Sequence, residues 1–122
     1  MARLGDASCL LRAKRVDGAI YLAGYAIECC LKEAVCIRTG QNHLPAAEEV
    51  HSWDRLVDSA NLWSAILAQP EVFSLYSSLS EKWKSCQWGS ALRYRVGLFQ
   101  IREAQRLYSE IEALYDALVE MM

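Results

Sequence analysis

The chain has little proline and little histidine. Two prolines in 122 residues leave long stretches free for helices, because proline removes a backbone donor and breaks helix interiors. The two histidines, His43 and His51, have Pro45 between them, and there is neither a CxxC pair nor an HExxH motif, so no metal site is expected. A glycine-rich phosphate loop is also lacking. These absences favour a helical protein without a cofactor.

Paired cysteines and a secretory signal are missing too. Five cysteines, an odd number without paired spacing, fit a reducing cytosol better than a disulfide framework. The N-terminal stretch MARLGDASCLLRAKR lacks the uninterrupted apolar core of a signal peptide. Hydrophobic residues make up 53% of the chain, which excludes disorder and suffices for one folded domain over residues 1–122. We therefore expect a single cytoplasmic domain.

A long apolar helix is predicted over residues 17–40. Between residues 18 and 37 only Glu28, Lys32 and Glu33 are charged, and a helix that is apolar almost all round must be covered by helices or by lipid. The uncharged part, residues 19–27, is far shorter than the roughly 20 residues that span a bilayer. The sequence therefore predicts a buried central helix and no membrane segment. Asp17 is expected to be its N-cap, and Gly40 its left-handed C-cap.

Two faces of this central helix have distinct compositions. Helical spacing places four residues on one face, namely Tyr21, Tyr25, Glu28 and Lys32. Glu28 and Lys32 are in the favoured order for an i,i+4 ion pair, and we interpret them as a structural ion pair; a buried acid–base pair is the alternative. Gly24 lies on another face, where its loss of helix propensity predicts the close approach of a neighbouring helix.

Further helices are expected on both sides of the central one. A short first helix should bury Leu4, Ala7 and Leu11. Ser52 should cap a helix that buries Trp53 and Leu56. This helix should end near Asn61 or continue to Leu67. Pro70 should begin the next helix. A last helix is predicted from the seam Ile101, Ala104, Tyr108, Ile111, Tyr115, Leu118 and Met122; residues 90–97 are left open as loop or helix. The fold expected is an all-α, up-and-down bundle of four to five helices.

The central helix resembles the second helix of HEPN domains. The resemblance rests on YLAGYAIE at residues 21–28, with Ala19 before it and Leu31-Lys32 after it. Weaker matches follow the family's order at Ala7, Leu10, Leu11, His51, Leu56, Trp88, Arg93 and Tyr94. The resemblance implies a small helical domain that associates with RNA or nucleotides, often beside a minimal nucleotidyltransferase. It also implies a structural role for the helix-opening His51.

Many HEPN proteins are metal-independent ribonucleases with an arginine followed four to six residues later by a histidine. Arg38 and His43 have this spacing, but a chain with nine arginines produces such a pair by chance easily. In the family the motif usually lies late in the bundle, and no histidine follows His51 here. We expect the usual catalytic motif to be missing; a ribonuclease that uses Arg38 and His43 is the alternative.

Positive charge is concentrated in residues 81–106, which hold six basic and two acidic residues. Cations there alternate with aromatics, namely Lys82, Lys84, Trp88, Arg93, Tyr94 and Arg95, a composition that suits phosphates and stacked bases. The alternative is an ordinary solvated surface. The expected function is that of a HEPN-like accessory protein associated with RNA or nucleotides. It could belong to a toxin–antitoxin-like pair. We expect it to assemble as a homodimer or with a nucleotidyltransferase. A helical protein–protein interaction module is the remaining alternative.

Overall fold

The longest helix among the described residues, α1 (Val16–Thr39), has 24 residues. The computed structural model describes residues 5–6, 8–9, 16–41, 52–85 and 101–122. The other helices are α2 (Trp53–Ser59), α3 (Trp63–Leu67), α4 (Pro70–Ser85) and α5 (Ile101–Met121), and residues 5, 6, 8 and 9 also have helical backbone. The described residues form no strand, so the all-α helical bundle is confirmed.

The burial of α1 is as complete as its composition predicts. Six of its apolar side chains have no solvent exposure, namely Ala19, Ile20, Ala23, Ile27, Leu31 and Val35. The most extensive helix contact in the described structure is that between α1 and α5. Within the described ranges, no helix is sufficiently long and apolar to cross a bilayer. The central helix is therefore covered by the other helices.

The two ends of α1 differ in how well they were predicted. Gly40 has a φ of 69°, and the amide nitrogens of Gly40 and Gln41 donate to the carbonyls of Ile37 and Cys36. These are the two hydrogen bonds of a Schellman motif, so the predicted C-cap is confirmed. The prediction that Asp17 is the N-cap is wrong: Val16 is already helical, and an N-cap residue must precede the first helical one.

A cap and a left-handed residue delimit α2. The Ser52 side chain accepts a hydrogen bond from the Arg55 amide at 3.4 Å, which confirms Ser52 as the N-cap. The helix ends at Ser59 because Asn61 adopts a φ of 58°, a conformation that asparagine tolerates better than most residues. Of the two ends considered, the one near Asn61 is correct, and α3 is a separate short helix.

The buried face of α5 is rotated slightly from the predicted seam. Its centre consists of Ala104, Leu107, Ile111, Leu114 and Leu118, all buried. Tyr108 and Tyr115 lie at the edge and are only half-buried. Their hydroxyl groups explain the rotation, since a side chain with a polar tip is favoured where that tip can reach water. Leu107 and Leu114, which are not in the predicted seam, therefore belong to the buried centre.

Candidate functional site

The face of α1 that carries the family resemblance is assembled as expected. The rings of Tyr21 and Tyr25 are stacked, with centroids 6.2 Å apart and planes only 3° apart. Lys32 Nζ lies 3.2 Å from Glu28 Oε2, and the Glu28 side chain is 1% exposed. A carboxylate so deeply buried must be paired. This face is therefore half-buried at Tyr21, Tyr25 and Lys32, and fully buried at Glu28.

Gly24 lies under the indole ring of Trp83, which belongs to α4. A Cβ atom built on Gly24 would lie 2.6 Å from Trp83 Cε3 and closer still to Cζ3. Trp83 stacks in turn on Trp53, with centroids 5.4 Å apart. A side chain from α4 fills the space beside Gly24, whereas α1 and α4 are not among the helix pairs that pack most closely in the described structure.

The two histidines and most of the predicted nucleic-acid contacts lie outside the described residues. These are His43, His51, Trp88, Arg93, Tyr94 and Arg95, and the uncertain stretch 90–97 is among them. Arg38, the other half of the ribonuclease-like spacing, is exposed, and its guanidinium donates to the carbonyl of Ser59 at 3.1 Å. Because that carbonyl belongs to the last turn of α2, Arg38 stabilises a helix end.

The cations at the two ends of the basic segment have different surroundings. Lys84 pairs with Asp54, at 2.7 Å between Nζ and Oδ2. Lys82 is half-buried, while Arg102 and Arg106 are exposed on the first turns of α5. Among the described side chains, no carboxylate forms an ion pair with Lys82, Arg102 or Arg106. These three cations remain available to an anion, and Lys84 is already engaged.

Asp54 is the centre of a polar cluster that joins α2 to α4. The Tyr76 hydroxyl donates to Asp54 Oδ1 at 2.7 Å, and Lys84 holds Oδ2. Burial opposes ionisation of Asp54, but the hydrogen bonds from Lys84 and Tyr76 outweigh it and lower the pKa of the carboxyl. Burial, helped by the bond to Asp54, raises the pKa of Tyr76. At neutral pH the cluster is a carboxylate that accepts from a neutral phenol and an ammonium.

This cluster lines a cleft of about 240 Å³ between α2, α3 and α4. The rings of Trp63, Phe73 and Tyr76 form its apolar part. Trp63 and Tyr76 meet edge to face, with centroids 5.4 Å apart and planes 84° apart. Glu81 adds a second carboxylate at the cleft. Aromatic faces beside a few placed polar groups are typical of a ligand site.

Sequence reasoning missed this cleft. Asp54 follows the predicted cap Ser52, Lys84 lies in the predicted basic segment, and the two residues are 30 positions apart. No periodicity or motif links positions so far apart on separate helices. The nearest thing to a signal was the position of Asp54, directly after the first of two tryptophans in one short stretch, Trp53 and Trp63.

The cysteines of α1 behave as part of the packing. Cys30 is buried, and its thiol lies 3.7 Å from the Met122 sulfur. Burial, with the nearby charge of Glu33, raises the pKa of the Cys30 thiol to about 12, so that it stays protonated at neutral pH and is a poor nucleophile. Cys29 and Cys36 are half-buried. No group of three or more metal-binding side chains occurs in the described ranges.

Comparison of the chain with protein-family models, with curated proteins and with solved structures finds no match.

Proposed function

We propose that this protein is a HEPN-like accessory protein that associates with RNA or nucleotides without the usual HEPN catalytic motif. The observation that carries the proposal is the set of unpaired cations in the described residues at both ends of the basic segment: Lys82 on α4, and Arg102 and Arg106 on α5. The segment between them holds Trp88, Arg93, Tyr94 and Arg95. Cations that no carboxylate neutralises attract phosphates, and aromatic rings among them stack on unpaired bases.

The engagement of Arg38 supports the absence of the usual catalysis. Its guanidinium is bound to the end of α2 through Ser59, which accounts for this arginine without a catalytic role. General acid–base cleavage of RNA needs a group that titrates near neutrality, most readily histidine. His43→Ala should therefore change neither RNA binding nor RNA integrity. Cleavage of total RNA or tRNA by the wild type that His43→Ala loses would reinstate the ribonuclease.

The salt dependence of binding to single-stranded RNA tests the proposal. Each phosphate contact adds roughly 0.7 to the slope of log affinity against log salt. The double variant Arg102→Gln/Arg106→Gln should lower that slope by roughly 1.4 if both residues contact phosphates. Arg55→Gln is the matched control, because Arg55 is an exposed arginine on α2, outside the basic segment. An equal slope in the wild type and the double variant would refute the proposed contacts.

The two lysines of α4 provide a second, internal comparison. Lys84 already neutralises Asp54 at 2.7 Å, whereas Lys82 has no such partner among the described carboxylates. Lys82→Gln should therefore lower the slope more than Lys84→Gln does. The reverse order would show that the ion pair between Lys84 and Asp54 opens on binding, and that Lys84 contributes more than Lys82 to phosphate binding.

Assembly as a two-fold homodimer, or with a different subunit such as a nucleotidyltransferase, belongs to the same proposal. The outer surface of α5 supports it, since Val119 and Met122 are exposed and Tyr115 is half-buried beside them. Val119→Asp should reduce a dimer to a monomer in light scattering, whereas Ala113→Asp, at another exposed position of α5, should not. A wild-type protein that is monomeric at high micromolar concentration would exclude the homodimer. A toxin–antitoxin-like pair would then require a partner that co-purifies.

A further inference from the structure

The charged residues of the cleft between α2, α3 and α4 are not among the proposed RNA contacts, with the exception of Lys84. They are Asp54, Glu81 and Lys84, which leave one net negative charge at neutral pH. A phosphate would meet both carboxylates there, so an anion is disfavoured. A cation is favoured by the same two groups.

The aromatic side chains of the cleft favour the same kind of ligand. Trp63, Phe73 and Tyr76 line one volume of about 240 Å³, and Phe73 is 41% exposed. The face of an aromatic ring attracts a cation within about 6 Å of its centroid. Rings around a carboxylate therefore form a site for an organic cation.

Lys84 occupies this site in the free protein. Its ammonium group binds Asp54 Oδ2 at 2.7 Å, yet its side chain is 52% exposed. An exposed ion pair of this kind is worth at most about 1 kcal/mol, so a better cation can displace the lysine. Asp54 Oδ1 is held by Tyr76, which fixes the carboxylate for a ligand as well as for Lys84.

We propose that this cleft binds the guanidinium group of an arginine side chain from a partner polypeptide, with Asp54 as the acceptor and Trp63 and Phe73 as the stacking surface. A guanidinium is planar, stacks on aromatic rings, binds carboxylates with two parallel hydrogen bonds and is more weakly hydrated than an ammonium. Lys84 carries a compact and strongly hydrated ammonium on a flexible stem, which is poorly suited to stacking on rings. The proposal does not depend on RNA binding.

The test uses capped tripeptides Gly-X-Gly in which X is arginine, lysine or citrulline, together with adenosine monophosphate. Binding to the full chain is followed at millimolar concentrations through the indole N–H resonance of Trp63, assigned with Trp63→Phe. The arginine peptide should bind more tightly than the lysine peptide. The neutral citrulline peptide, which has nearly the same shape, should not bind. Asp54→Asn should weaken the arginine peptide by roughly tenfold to a hundredfold, as expected for a hydrogen bond to a charged group.

Removal of the Lys84 ammonium group distinguishes a cationic from an anionic ligand by the direction in which affinity changes. Lys84→Met deletes the internal competitor, so the arginine peptide should bind up to roughly fivefold more tightly. Lys82→Met on the same helix, outside the residues that line the cleft, is the matched control and should leave binding unchanged. An anionic ligand would behave in the opposite way, because Lys84 would be its contact.

Three results would overturn the proposal. The first is an arginine peptide that leaves the Trp63 resonance unmoved, while the circular dichroism and unfolding midpoint show a folded protein. The second is adenosine monophosphate that binds in the cleft and loses affinity in Lys84→Met. The third is self-association of the chain that Asp54→Asn abolishes, which would assign the arginine to a second copy in place of a separate partner.

Discussion

Replacement of Gly24 by alanine tests how the centre of the bundle is packed. The added methyl group would enter the space of the Trp83 indole, 2.6 Å from Cε3 and closer to Cζ3. The ring is 7% exposed and is stacked on Trp53 at 5.4 Å, so it has little room to move aside. A glycine in a helix is otherwise a weakness, and alanine should gain about 1 kcal/mol in helix propensity.

The two effects have opposite signs, and their magnitudes decide the outcome. Overpacking in a well-packed core costs about 1–3 kcal/mol, and a rigid ring as the obstacle places Gly24→Ala in the upper part of that range, at about 2–3 kcal/mol. After the gain in helix propensity, a net loss of about 1–2 kcal/mol is expected. Urea unfolding followed by circular dichroism measures this loss. Gly5→Ala is the control, because a Cβ atom at Gly5 meets nothing within 4 Å, and it should not destabilise the protein.

A double-mutant cycle identifies the cause of the loss. In a Trp83→Phe background the smaller ring leaves space beside Gly24, so Gly24→Ala should cost less there. The coupling between residues in contact is typically about 0.5–3 kcal/mol. A Gly24→Ala protein as stable as the wild type, or a coupling of zero, would refute the contact between α1 and Trp83.

The other predictions concern a helix cap, a thiol and an ion pair. Gly40→Ala should destabilise the protein by roughly 1 kcal/mol in urea unfolding, because an L-residue is strained at a φ of 69°. Iodoacetamide should alkylate the exposed Cys9 well before Cys30, whose thiol is buried with a pKa of about 12; peptide mapping that finds Cys30 modified first would contradict this. Since Lys84 helps to lower the pKa of Asp54 in the folded state, the wild type should be more stable than Asp54→Asn at neutral pH, by no more than about 1 kcal/mol for so exposed a pair. That advantage should disappear as pH falls below about 4, and an advantage that persisted at lower pH would exclude the ion pair as its source.

The features that sequence reasoning predicted are local ones. The burial of α1 follows from the scarcity of charge between residues 18 and 37, because a helix without a polar face must be covered. Ser52 and Gly40 mark helix ends because capping needs only a few neighbouring backbone groups. The Glu28 and Lys32 pair follows from the i,i+4 spacing, and it forms as predicted.

The predictions that were wrong or incomplete needed more than local spacing. The N-cap of α1 was wrongly assigned to Asp17. An N-cap can be identified only when the first helical residue is known, and the sequence locates that residue only to within a few positions. The predicted seam of α5 was off-centre because the choice between Tyr108 and Leu107 depends on which polar tips can reach water. Helical periodicity defines the apolar stripe but leaves its centre uncertain.

By itself, the sequence determined the helical class, the buried central helix, its C-terminal cap and the need for a close neighbour at Gly24. Only the tertiary structure decided that this neighbour is Trp83, that Arg38 reaches the end of α2 and that Lys84 binds Asp54 across 30 positions of the chain. Periodicity and capping depend on bonds between residues within one or two turns. The cleft depends on how α2, α3 and α4 are rotated and spaced against one another, which is set by the packing of large rings in the shared core.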